Sequence, residues 1–375
     1  MNEKLERVYL LDLARAVAAT CVVLQHYQHF YYVGGNQYAE NFIRNQQPFY
    51  NIIEPFYQFG SVAVQFFFVL SGFIFFMFYR NRISERSINF KNFIILRLTR
   101  LYPLHLLTLL AVLIMQKIYY YYISEYFIFE DNNLINFIFH FFLIQEWRLV
   151  ETTSAYNAPS WSISVELFLY ISFFLVSLFF IKNVFQSIIA LLFTIILYIV
   201  LQPSLGNIIL GLILFYLGGF TYFLYLTMKK FLRANYIISI LIIIDIIVFG
   251  RFLNELFLNL QNSLDFLIGN RFMLLLYFVK FPLIIINLSF FQLYKKDIGK
   301  SIRILGDTSY TVYLIHFPLQ LIFAFINKKI FEIDFNSNIF FTIYFVSVFS
   351  VSAMIYKFYE LPLKENLRKK FIRKT

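Results

Sequence analysis

The stretch LDLARAVAATCVVLQHYQHF, residues 11–30, is apolar enough to enter a bilayer, yet it keeps four polar residues that membranes usually exclude. These residues are Asp12, Arg15, His26 and His29. A charged side chain near the bilayer centre costs about 2.5 to 3.5 kcal/mol on insertion scales, so an ionisable residue within a span indicates a functional site. The stretch therefore predicts a membrane helix with a functional polar face.

The spacing of these residues places two of them on one side of the predicted helix. At roughly 100° per residue, Arg15 and His26 are about three turns apart and point in nearly the same direction. Asp12 lies one turn before Arg15, where a carboxylate and a guanidinium can pair. His29 lies one turn beyond His26, where we expect water and lipid headgroups to satisfy it. At about 1.5 Å per residue, the polar face extends for about 16 Å.

Composition assigns the whole chain to the multi-span membrane proteins. Of its 375 residues, 60% are hydrophobic and 14% are charged, against about a quarter charged in soluble proteins. The N-terminus lacks the small-residue cleavage site of a signal peptide, so we expect the first span to remain. Cys21 is the only cysteine, which excludes an intramolecular disulfide and a cysteine-based metal cluster. We expect no metal site.

Ten apolar runs are long enough to span a bilayer, and all should be helices. They lie at 8–30, 56–79, 93–116, 161–181, 186–201, 207–226, 234–250, 270–292, 304–326 and 338–358. An eleventh run, 134–146, has a length that favours a short re-entrant or interfacial segment within an external region, 117–160. The predicted fold is therefore a single all-α membrane domain covering residues 1–375.

Loop charge predicts the orientation of these spans. With ten spans and the N-terminus inside, most of the 32 basic residues lie in cytoplasmic segments, as the positive-inside rule requires. An additional span at 134–146 would reverse every later loop and place the basic tail outside. We therefore expect both termini in the cytoplasm, and the inner (plasma) membrane of a bacterial cell as the location. The net charge of +11 follows from these short loops and does not indicate nucleic-acid binding.

Two motifs near the cytoplasmic side contain candidate binding residues. In FFFVLSGF of the second span, Ser71 and Gly72 suit either close helix packing, which we favour, or direct ligand contact. At the mouth of the third span, Arg97 and Arg100 lie one turn apart and are followed by Tyr102. Such a guanidinium pair suits phosphate oxygens. Considered alone, the pair is better explained by positive-inside anchoring.

The external segment NAPSWSISVELF opens the fourth predicted span and contains a candidate acid. Ser162 and Glu166 are one turn apart, and Trp161 suits the membrane interface. Glu166 should lie about one turn inside the outer leaflet, which the polar face of the first span reaches at His26. A buried carboxylate beside a histidine is a plausible acid/base pair. The alternative is a structural hydrogen bond.

The remaining polar residues in apolar segments receive structural interpretations. His316, in the ninth span, is expected to support the site from a position behind the reacting groups. His105 and His140 are expected to be satisfied structural histidines. Asp245, in the seventh span, has no partner that the sequence identifies.

Taken together, these blocks resemble the acyltransferase 3 family of membrane O-acyltransferases. LDLARAVAATCVVLQH resembles the family's first helix, with its Arg-x(10)-His motif. Five further blocks of this chain are similar to the family's later blocks, in order and at similar spacing: FFFVLSGF, RLTRLYPLHLL, SWSISVE, LGDTSYTVYLIHFPL and FYELPLKE. There are two departures from the family pattern. After the arginine pair comes Tyr-Pro-Leu-His, with a histidine after the leucine where the family commonly has an aromatic residue. The C-terminal esterase-like domain of some members is not expected here. Transfer must then be completed by the membrane domain or by another protein.

The resemblance implies transfer of an acyl group, usually acetyl from acetyl-CoA, across the membrane. The acceptor would be a hydroxyl of an extracytoplasmic saccharide, glycolipid or cell-envelope glycan. The implied cofactor-binding residues are Arg15, Ser71, Arg97, Arg100 and Tyr102, and the implied catalytic residues are His26 and Glu166. His26 would either take the acyl group covalently or act as a general base. The implied supporting residues are Asp12, Trp161, Ser162 and His316.

Two other classes of protein remain as alternatives. Ten spans with polar midplane residues also describe transporters, such as a flippase for a lipid-linked saccharide. No internal two-fold hydropathy repeat is visible, which disfavours that class. A membrane scaffold without catalysis is disfavoured by the cost of keeping Arg15 and His26 within a span.

The loop charges generate a first prediction, which concerns orientation. Single cysteines placed in segments 229–233 and 364–374, with Cys21 replaced to remove background, should resist an impermeant thiol reagent applied to intact cells. Permeabilised cells provide the control, because every such cysteine should then react. Labelling of the tail from outside would overturn the ten-span topology.

Overall fold

The structure is a computed structural model that describes residues 7–33, 37–149, 154–201, 205–231 and 273–371. Over these ranges the chain is helical, and its only β pairing is an isolated bridge between Tyr32 and Tyr38. The all-α prediction is confirmed. The predicted span 234–250, with Asp245, lies outside the described residues.

The part of the chain that the structure describes contains thirteen α-helices, numbered α1 to α13 in chain order. They are α1 Tyr9–His26, α2 Tyr50–Phe59, α3 Val62–Phe78, α4 Arg80–Ser84, α5 Phe90–Ile123, α6 Leu134–Phe141, α7 Trp161–Phe179, α8 Val184–Leu201, α9 Gly206–Phe231, α10 Phe281–Tyr294, α11 Arg303–Lys329, α12 Asn338–Ile355 and α13 Leu361–Phe371. A 3₁₀ turn, Tyr27–Tyr31, follows α1 directly. Two π-helical turns, Leu276–Lys280 and Tyr356–Glu360, precede α10 and α13.

Within the described ranges, seven helical segments are long and apolar enough to cross a membrane. They are Phe90–Ile123, Ala158–Phe179, Val184–Leu201, Gly206–Lys230, Met273–Tyr294, Lys300–Lys329 and Asn338–Phe371. There are eight if the bent pair α2 and α3 counts as one span. All eight overlap predicted spans, so the multi-span prediction is confirmed, whereas the count of ten is not. Helix α1 is absent from this set because Asp12, Arg15 and His26 lower its hydropathy.

The segment 134–146 is not a membrane span. Its helix, α6, has eight residues, far fewer than the ~20 that a span needs. Asn133 caps the helix by accepting from the backbone N–H of Asn136. The backbone carbonyl of His140 accepts from His105 Nε2 at 2.7 Å. These contacts fit the structural roles expected of both histidines.

The described helices form two compact units. The first comprises Met1–Arg15, Gln65–Ser87 and Ser172–Gly306, and the second comprises Ala16–Val64, Ile88–Ile171 and Asp307–Thr375. In the second unit, tyrosine hydroxyls bind backbone carbonyls of α5 around its internal proline, Pro103. Tyr310 donates to the Leu101 carbonyl at 2.6 Å, and Tyr359 donates to the Pro103 carbonyl at 3.2 Å. These two bonds attach α5 to Tyr310 and Tyr359 close to its internal proline.

In the first unit, glycines bring α3 and α9 into backbone contact. A Cβ atom added at Gly72 would lie closer than 3.0 Å to the backbone oxygen of Phe215, and one added at Gly218 would lie equally close to that of Val69. Without a side chain at either position the two backbones can approach closely, as small residues allow between membrane helices. This supports the packing interpretation of Gly72. Ser71 is half-buried in the same helix, and its contact with a ligand stays a prediction.

This contact generates the second prediction. Gly72→Ala should destabilise the protein by about 1 to 3 kcal/mol, because overpacking forces backbones apart. The measurement is thermal unfolding in detergent. Gly206→Ala is the matched control, since a Cβ there meets nothing within 4 Å. Equal unfolding temperatures for the two variants would contradict the close approach of α3 and α9.

Candidate active site

A cluster of imidazoles lies at the end of the first helix, in the second unit. Helix α1 ends at His26 and tightens into the 3₁₀ turn Tyr27–Tyr31. A 3₁₀ turn brings side chains at i and i+3 into line, and the rings of His26 and His29 accordingly stack with centroids 4.6 Å apart. We call His26, His29, His316 and Gln320 the histidine cluster.

Helix α11 supplies the other half of the histidine cluster. The Nδ1 atom of His26 lies 2.8 Å from Nε2 of His316. Gln320, one turn later, donates from Nε2 to the backbone carbonyl of His26 at 2.5 Å and contacts Nδ1 of His29 through Oε1 at 3.3 Å. The residue that the sequence placed behind the reacting groups, His316, is therefore in direct contact with His26.

Burial differs among the members of the histidine cluster. His316 and Gln320 are fully buried, and His29 is 8% exposed. The expectation that water satisfies His29 is therefore wrong, because the 3₁₀ turn directs it against α11 and not towards the surface. His26 is only half-buried. Within the described ranges its Nε2 makes no hydrogen bond, so this atom is the one available to a substrate.

A second group of polar residues in the same unit carries charge. We call it the charged cluster, and its members are Arg97, Arg100, Glu166, Tyr170, Tyr310 and Glu360. The hydroxyl of Tyr170 donates to the carboxylate of Glu166. Arg97 is buried, with its guanidinium carbon 6.0 Å from the ring centroid of Tyr170 and 5.8 Å from that of Phe93. Such contacts are cation–π interactions, and they hold the guanidinium in place.

A buried carboxylate, that of Glu360, lies opposite the positive charge of Arg100. Glu360 accepts from the hydroxyl of Thr311 at 2.7 Å and interacts electrostatically with Arg100 and Lys364. It is buried at the end of a π-helical turn, a form often found at functional sites. Glu360 lies in the block FYELPLKE and was not among the expected site residues. The signal was an acidic residue between apolar neighbours at the end of a predicted span.

Glu166 is placed with the arginines. It bonds to Tyr170, which interacts with Arg97 and Arg100. Its predicted pairing with His26 stays a prediction. The sequence did not indicate that Glu166, in the fourth predicted span, would lie close to the arginines of the third.

The other predicted residues of this unit join the external segment to the helices. Ser162 lies 2.8 Å from the hydroxyl of Tyr313, which also donates to the backbone carbonyl of Pro159 at 2.7 Å. Trp161 begins α7 and is half-buried. The hydroxyl of Tyr102 donates to the backbone carbonyl of Phe141, and its contact with a cofactor stays a prediction.

Asp12, Arg15 and Ser71 belong to the first unit. Asp12 is buried and pairs with Arg15 in the next turn, as its spacing predicted, and with Arg7 at 2.5 Å. Gly306 packs on Asp12, because a Cβ added there would lie closer than 3.0 Å to the Asp12 backbone. Two guanidiniums thus share one buried carboxylate at the start of α1.

The arrangement suits proton transfer or nucleophilic attack at His26 and anion binding at the arginines. A half-buried imidazole with one nitrogen bound and the other available can act as a base or a nucleophile. Among the described residues, no group of three or more His, Cys, Asp or Glu side chains is placed to hold a metal ion. The histidine cluster is instead built by ring stacking and pairwise hydrogen bonds.

Comparison with known families gives one clear result. Curated proteins and solved structures provide no match. A family profile described as an acyltransferase domain matches residues 8–357, nearly the whole chain. The match includes every block in which sequence reasoning placed a candidate site residue, from Asp12 to His316. The chain belongs to the acyltransferase 3 family of membrane acyltransferases.

Proposed function

We propose that this protein is a membrane O-acyltransferase that moves an acetyl group from acetyl-CoA onto a hydroxyl of an extracytoplasmic saccharide or cell-envelope glycan. The observation that carries the proposal is His26, a half-buried histidine whose Nδ1 is bound by His316 and whose Nε2 is available. Membership of an acyltransferase family supplies the reaction type. The distribution of basic residues supports an inner-membrane protein with both termini in the cytoplasm.

The donor would enter from the cytoplasmic side. Arg100 is half-buried and lies beside Glu360, which suits a guanidinium that binds a phosphate oxygen of CoA. Arg97 is held by aromatic rings and would contribute fixed positive charge. Glu166, through Tyr170, would position this pair. In the general-base route, Glu166 is also the candidate acid/base partner of His26.

Chemistry at His26 follows one of two routes. As a general base, Nε2 takes the proton of the acceptor hydroxyl, the oxygen attacks the thioester carbonyl, the C–S bond breaks, and the thiolate takes the proton from Nε2. As a nucleophile, Nε2 attacks the thioester carbonyl first, the C–S bond breaks and CoA leaves as thiolate. The acceptor oxygen then attacks the acyl carbon, the C–Nε2 bond breaks, and the hydroxyl proton neutralises the thiolate through solvent. Both routes need an electron pair on Nε2.

The third prediction tests this proposal directly. Purified protein in vesicles should release free CoA from acetyl-CoA in the presence of a saccharide acceptor. His26→Ala should lower that rate by at least about 10² to 10⁴-fold, the usual contribution of general acid/base catalysis. Donor binding should persist, because the change removes a reacting group and leaves the arginines in place.

His105→Ala is the matched control for His26→Ala. His105 is fully buried in the same unit, and its Nε2 lies 2.7 Å from the backbone carbonyl of His140, so its loss should lower the stability and leave the turnover of the folded fraction unchanged. His29 is unsuitable as a control because it stacks on His26. Full CoA release by His26→Ala would refute the assignment of His26, and absence of CoA release from the wild-type protein would favour the transporter alternative.

The fourth prediction concerns the donor end of the site. Arg100→Gln should raise the KM for acetyl-CoA by roughly tenfold with little change in kcat, because a phosphate contact far from the thioester gives uniform binding. The double change of Arg97 and Arg100 to Gln should raise it further and also lower the stability. Arg100→Lys should be intermediate, since lysine keeps the charge without the two-pronged geometry. An unchanged KM with a collapsed kcat would exclude phosphate binding by Arg100.

A further inference from the structure

The contact between His26 and His316 has a direction, because one ring must donate and the other must accept. Nδ1 of His26 and Nε2 of His316 are 2.8 Å apart, and a neutral imidazole has one donor nitrogen and one acceptor nitrogen. Nδ1 of His316 is buried and makes no hydrogen bond within the described ranges, so the contact with His26 is the hydrogen bond that holds this ring.

The proposed chemistry selects the tautomer of His26. Both routes need an electron pair on Nε2, so the proton of the neutral ring is on Nδ1, which donates it to Nε2 of His316 across the 2.8 Å contact. A neutral imidazole has one protonated nitrogen and one with a free electron pair. The free pair of His26 is then on Nε2, the atom that makes no hydrogen bond within the described ranges.

Gln320 holds the main chain of His26. It lies one turn after His316 on α11, on the same helix face, and is fully buried. Its amide donates to the backbone carbonyl of His26 at 2.5 Å. One helix face therefore holds the side chain of His26 through His316 and the main chain through Gln320. The stacked ring of His29 packs against the same imidazole.

From these contacts we propose that His316 is a positioning residue that holds His26 in the tautomer with a proton on Nδ1 and a free electron pair on Nε2. The inference rests on the proposed role of His26 and applies to both routes, because each begins with that electron pair. When Nε2 gains a proton or an acyl group, positive charge develops on the ring. The Nδ1–H of His26 then donates more strongly to His316, which stabilises that charge.

The role of His316 parallels that of a buried acceptor behind a catalytic histidine, where loss of the correct tautomer is costly. Here the acceptor is itself a neutral imidazole, so the pair adds no net charge to the membrane interior. A buried carboxylate in this position would carry a large desolvation cost. A histidine supplies the same directional hydrogen bond without that cost.

The fifth prediction tests the tautomer in two independent ways. His316→Leu should lower kcat by about 10- to 100-fold, the usual effect of removing a partner that orients a functional histidine, with the KM for acetyl-CoA unchanged. His316→Gln should recover most of the rate, because its Oε1 can accept the Nδ1 proton of His26. A purely structural role would give equal losses for both variants, or losses that follow the unfolding temperature.

The second measurement does not depend on activity. The chain has five histidines, so ¹⁵N-histidine NMR of the wild-type protein in detergent can be assigned with single variants. In the wild type we expect the ¹⁵N signals of His26 to be those of a neutral ring protonated at Nδ1. In His316→Leu we expect the signals of a mixture of the two tautomers. A proton on Nε2 of His26 in the wild type would overturn the inference even if the protein transfers acyl groups. Absence of transfer together with the Nδ1–H signal would instead overturn the proposed function.

Discussion

Polar side chains within apolar helices must find their hydrogen-bond partners in the protein, because lipid offers none. The candidate site is organised by this requirement. His26 contacts His316, which lies 290 positions away in the chain, and Thr311 donates a hydrogen bond to Glu360, which lies 49 positions away. These contacts also fix which helices are neighbours. Satisfaction of buried polar groups therefore determines the packing of the second unit and the geometry of its reacting groups together.

Helix α11 is the element on which both clusters depend. Its polar residues recur every one to four positions, and each meets a different partner: they are Tyr310, Thr311, Tyr313, His316 and Gln320. From the first to the last, the helix rises by about 15 Å at roughly 1.5 Å per residue. One helix thus provides contacts to the charged cluster at one level and to the histidine cluster at another. This distance is comparable to the separation of Arg15 and His26 along α1.

Much of this site was predictable wherever a single helix decides the geometry. The spacing of Asp12 and Arg15 predicted their ion pair, and the length of the run 134–146 predicted that it does not span. Contacts between helices were not predictable, because spacing along a helix gives a face and a depth without naming the neighbour. For this reason the bond of Glu166 to Tyr170 was not expected. His29 was misplaced because α1 changes to a 3₁₀ turn after His26, which alters the period on which the expectation relied.

Helix α5 has 34 residues, which at about 1.5 Å per residue makes it roughly 51 Å long. The hydrocarbon core of a typical bilayer is only ~30 Å thick. Part of α5 must therefore project into the headgroups or water, or the helix must tilt, and each accommodation costs fractions of a kcal/mol per Å of mismatch. Because α5 carries Arg97 and Arg100 and is held by Tyr310 and Tyr359, that mismatch acts on the same helix that presents the arginines. The acyl-chain length of the surrounding lipids therefore sets how much of α5 lies outside the hydrocarbon core.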